Sequence, residues 1–79
     1  MSKKKELDSI RKKIDELDAE LLQMLNQRSS LAIEAGENKK EEVIYKPERE
    51  AYILRQLKKI NTGPLSYQQI VNIFKEIIS

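Results

Sequence analysis

A chain of 79 residues, with 35% charged side chains and a net charge of +2, is read as one small domain over 1–79, and it buries too little apolar surface to be comfortably stable alone. It has no cysteine and no histidine, which excludes disulfide frameworks, thiolate or imidazole zinc sites, and Ser-His or Cys-His nucleophilic catalysis. With two glycines and two prolines, near-balanced charge and no apolar run of roughly 18 residues, the expectations are an all-α fold, no metal site, no nucleic-acid or membrane partner, and cytoplasmic residence.

The first helix is expected from about Lys5 to Lys40, preceded by a solvated, partly frayed "SKKK" at residues 2–5. Two series spaced by seven run along it: Leu7, Ile14, Leu21, Arg28 and Ala35, and Ile10, Leu17, Met24 and Leu31. They are the a and d positions of a heptad pattern, a narrow apolar stripe that seeks another helix. Such a helix would be about 50 Å long, whereas a compact domain of this length has a radius of gyration of about 12 Å. The rest of the chain cannot cover it, so a homodimer is predicted in which the long helices pack antiparallel or crossed.

The second helix is expected to begin at Pro47, with Glu48 and Glu50 near the end of the macrodipole that favours anions. Its apolar set is Ile53, Leu54, Leu57 and Ile60. "NTGP" at residues 61–64 ends it: Gly63 is expected to take the left-handed closing conformation, and Pro64 prevents continuation. The third helix starts with Ser66 as cap and Gln69 completing a capping box, with Leu65 and Ile70 as the hydrophobic staple. Its expected buried face is Ile70, Ile73, Phe74, Ile77 and Ile78. The predicted architecture is therefore three helices, one long and two short, in an intertwined dimer.

Arg28 breaks the apolar stripe. A guanidinium there either makes a buried ion pair with a carboxylate or fixes dimer register, or else it receives a ligand carboxylate, and spacing leaves these open. Lys39 lies eleven residues on, on nearly the same side of the helix and about 16 Å away, so the two can hold opposite ends of a small anion. Arg11 is about 25 Å from Arg28 and can join it only from an antiparallel second chain. Taken singly, Arg11 and Lys39 read as flanking surface charges. "YKPERE", residues 45–50, adds Arg49 and Glu50 on the first turn of the second helix, where exposed ion pairs are the plain alternative. The set is cationic with one acceptor and lacks a nucleophile or proton shuttle, which suits positioning and charge stabilisation of a dianion.

"IRKKIDELDAELLQMLNQRSSLA", "GENK", "IYKPEREAYIL" and "GPLSYQQIVNIFKEIIS" together resemble the all-helical chorismate mutase family, in particular the mutase domain that begins the bifunctional chorismate mutase/prephenate dehydratase proteins. The resemblance implies an intertwined homodimer with shared sites and an isomerase of aromatic amino acid biosynthesis, in the shikimate pathway, that rearranges chorismate to prephenate without a covalent intermediate or cofactor. It implies that Arg28 binds one substrate carboxylate and Arg11, from the other chain, the second. Lys39 would contact the ether oxygen and a carboxylate, Glu50 the ring hydroxyl, and Arg49 would support the site. Many members have Asp where Lys46 precedes Pro47. This departure removes a cap worth about 1 kcal/mol and, with it, a polar substrate contact; Lys46 stays among the substrate-binding candidates. The stretch from Lys39 to Arg49 is also about two residues shorter than the commoner pattern. The family's third helix runs about two turns beyond Ser79, supplying a serine and a Gln or Glu. Lacking that donor predicts weaker transition-state stabilisation, on the order of 100-fold. A non-catalytic dimerisation or ligand-sensing module and an isochorismate-pyruvate lyase on the same fold are the alternatives.

Overall fold

A computed structural model describes residues 3–38 and 46–78. Among them the secondary structure is three helices, α1 (Lys3–Asn38), α2 (Lys46–Ile60) and α3 (Tyr67–Ile78), with no strand. The chain divides into two units, residues 1–40 and 41–79. No helix among the described residues is long and apolar enough to cross a membrane.

The first unit is α1. Its 36 residues extend for about 54 Å at 1.5 Å per residue. No proline interrupts them, and strong helix formers dominate. The helix begins two residues before the expected start, so the lysines of "SKKK" are helical from Lys3 onward and exposed. Its predicted end at Lys40 lies outside the described residues. The stripe itself is uncovered: Leu7, Ile10, Ile14, Leu17, Leu21, Met24 and Leu31 are 44 to 64% exposed.

The second unit is a helical hairpin in which α2 packs against α3. The first turn of α2 carries Glu48 and its last turn Lys58 and Lys59, each sign at the helix end whose partial charge it opposes. Leu54 and Ile70 are buried, at 9% and 5% exposure. Ile53, Leu57, Val71, Phe74, Ile77 and Ile78 are half-buried around them. The Lys58 ammonium stands 5.0 Å from the centre of the Tyr67 ring, joining the end of α2 to the start of α3 by a cation–π contact.

The connection differs from expectation in how it is closed. Gly63 has no positive φ, so the predicted left-handed cap is not formed. Asn61 does the work instead. Its N–H continues the helix to the Leu57 carbonyl at 3.0 Å, its Oδ1 accepts from the Gly63 N–H at 3.1 Å, and its Nδ2 donates to the Leu65 carbonyl at 2.9 Å. A side-chain amide thus supplies both a donor and an acceptor to a loop whose backbone groups have left the helix ladder. The capping box of α3 is formed in both directions: the Gln69 N–H donates to Ser66 Oγ at 3.1 Å, and the Ser66 N–H to Gln69 Oε1 at 2.9 Å.

Two residues of the expected buried faces are exposed. Ile73 lies on the flank of α3, because at 100° per residue the packed strip is centred near Phe74, with Val71 closer to that centre than Ile73. Ile60 is on the packed side of α2 but at its last residue, 69% exposed, where it lines an open groove with Leu57, Leu65, Ile70 and Phe74. Leu65 and Ile70 line the same groove, in keeping with a staple across the start of α3.

Candidate active site

α1 carries Arg11 and Arg28 seventeen residues apart, or about 25 Å along the axis, so one small ligand cannot touch both within a chain. Arg11 is exposed. Arg28 is half-buried, whereas every other residue of Lys3–Glu37 is exposed. Its neighbours on the same face, at spacings of three, four and seven, are Leu21, Met24, Leu25 and Leu31. Among the described residues no carboxylate is paired with Arg28. A buried Arg28–carboxylate pair is therefore not made within one chain among the described residues.

α2 presents Arg49 and Glu50 in its first turns. Glu50 is half-buried, and its position explains why: Leu54 and Leu57 follow at spacings of four and seven, so the carboxylate continues the packed face of α2. Arg49 is exposed, with its guanidinium 5.6 Å from the centre of the Tyr52 ring one turn on. Tyr52 was not among the residues singled out from the sequence. An arginine followed at a spacing of three by an aromatic residue on a helix was the available signal.

The structure thus sets Arg11 and Arg28 on one helix and Arg49 and Glu50 on another, at consecutive positions that leave the axis about 100° apart. Lys39 lies outside the described residues, and so does the side chain of Lys46. Guanidinium groups offer forked donors that match carboxylates, and an ionised Glu offers only acceptors, suited to a hydroxyl. No group of three or more His, Cys, Asp or Glu side chains that could hold a metal is found among the described residues.

Residues 10–79 match the family described as chorismate mutase type II. The chain belongs to this family. The match spans every candidate position from Arg11 to Glu50. Among curated relatives, the bifunctional chorismate mutase/prephenate dehydratase of Neisseria gonorrhoeae is 41% identical over 69 residues, 87% of this chain and 19% of that protein. The protein of the same name from Stutzerimonas stutzeri is 35% identical over 86 residues, 100% of this chain and 24% of its own length. A chorismate mutase of Methanocaldococcus jannaschii is 43% identical over 56 residues, 68% of this chain and 57% of that protein. The chain therefore spans about a fifth to a quarter of the length of these two bifunctional relatives. No solved structure gives a significant match.

Proposed function

We propose that this type II family member is a working chorismate mutase domain over residues 1–79, converting chorismate to prephenate on the route to phenylalanine and tyrosine. The observation that carries the reading is Arg28, a half-buried guanidinium on an otherwise apolar stripe, in a chain of this family. The reaction is an intramolecular rearrangement: the ether C–O bond breaks as a new C–C bond forms, with nothing gained or lost. Acid–base or nucleophilic groups are not needed, and the protein accelerates the step by holding the dicarboxylate in a compact chair and stabilising charge that grows on the ether oxygen.

In this reading Arg28 receives one carboxylate and Arg11 of the partner subunit the other. Lys39 donates to the ether oxygen and a carboxylate. Glu50 accepts from the ring hydroxyl, Arg49 supports the carboxylate end, and Lys46 offers a further polar contact. The assembly is a homodimer with shared sites, because Arg11 and Arg28 of one chain are too far apart to serve one substrate and the α1 stripe is uncovered. A cytoplasmic setting suits a chain without cysteine.

The test is the loss of chorismate absorbance in dilute protein. Wild type is expected to turn over. Arg28→Ala and Lys39→Ala should each lower kcat/KM by at least about 100-fold while sedimentation still gives the dimer mass. Undiminished turnover in either variant refutes the assigned site. Binding without turnover would point to a ligand-sensing module, and release of pyruvate from isochorismate to a lyase.

A further inference from the structure

We infer that Tyr52 is a positioning residue, its ring holding the Arg49 guanidinium ready for a substrate carboxylate. The inference rests on the mutase reading and deepens it. Arg49 and Tyr52 are three residues apart on α2, which stacks their side chains along one side of the helix. The guanidinium carbon lies 5.6 Å from the ring centre, within the roughly 6 Å over which a ring face attracts a cation. Among the described residues Arg49 has no carboxylate partner, so the ring is what holds it.

The arrangement solves a specific difficulty. An exposed arginine keeps much of its rotamer freedom, and a ligand that engages it must bear the cost of ordering it. An aromatic face narrows that freedom beforehand. It does so without consuming the acceptor-seeking N–H edge, which remains available to a carboxylate in the guanidinium plane. An Asp or Glu at position 52 would also order Arg49, but by occupying the donors that substrate needs. Tyr52 does not touch the reacting atoms in this scheme; it acts through Arg49.

The experiment is a double-mutant cycle on the intact dimer with chorismate as substrate. Tyr52→Leu, which keeps helix propensity high, should raise KM about 2- to 5-fold, the range of an exposed cation–π contact. Its kcat and urea midpoint should stay near wild type. Tyr52→Phe, which keeps the ring face, should restore KM. In an Arg49→Ala background, Tyr52→Leu should have no further effect on KM. Equal KM for Tyr52→Leu and wild type would overturn the inference, as would an undiminished Tyr52→Leu effect without Arg49. Either result leaves the mutase reading standing. A wild-type protein that neither binds nor converts chorismate would overturn both.

Discussion

Arg28 and Glu50 are charged residues at positions where apolar ones belong. Arg28 continues the series Leu7, Ile14, Leu21, and Glu50 continues the face of Leu54 and Leu57. Both are half-buried. In the proposed site the substrate meets both: a carboxylate for the Arg28 guanidinium and a hydroxyl for the Glu50 carboxylate. Gly36 shows the opposite case, a residue with no evident task. It is helical, lacks a positive φ, and has nothing within 4 Å of where a Cβ would stand. Gly36→Ala should therefore stabilise the protein by about 0.5–1 kcal/mol through reduced chain entropy, seen as a higher urea midpoint at fixed protein concentration. A lowered midpoint would show that another chain approaches the backbone closely at this position.

At the level of elements, the start of α3 was legible because a capping box is local. Ser66 and Gln69 are three residues apart, and the backbone groups they satisfy are their own. Ser66→Ala should destabilise the protein by about 1 kcal/mol, measured by urea unfolding, while a Ser66→Asn variant should lose much less. The end of α2 was legible as a turn but not in its chemistry. "NTGP" offers a glycine for a left-handed cap and an asparagine for a side-chain turn, and the two compete for the same backbone groups. The asparagine prevails because one amide both accepts from Gly63 and donates to Leu65. The buried faces were read nearly right. Ile73 and Val71 exchange roles because spacing rules list neighbours, whereas packing selects an arc.

For the whole molecule, α1 is decisive. Seven large apolar heptad residues keep 44 to 64% of their surface exposed, and covering the remainder would contribute on the order of 1 kcal/mol each. A second copy is the occupant that the proposed site also requires. Leu17→Glu, which sets a charge in the middle of that stripe, should shift the mass in sedimentation to that of a monomer at micromolar concentration. Turnover should fall with it, since the proposed site includes Arg11 of the partner subunit. A monomeric variant with full activity would rule out shared sites. In a dimer of this kind stability depends on concentration, and each tenfold dilution lowers it by about 1.4 kcal/mol.

What the amino-acid sequence settled by itself was whatever depends on near neighbours or on family membership. That covers the helical class, the capping box, the heptad stripe, the anomaly at Arg28 and the kinship with the all-helical chorismate mutases. Tertiary structure decided what depends on a side chain's actual surroundings: that Asn61 and not Gly63 closes α2, that Leu54 and Ile70 form the buried centre of the hairpin, that Glu50 lies on its packed face, and that Arg49 rests over Tyr52. The physical reason is the same in each case. Periodicity fixes the angle at which a residue leaves its helix, but burial and contact depend on what is packed opposite, and that is a property of the folded chain.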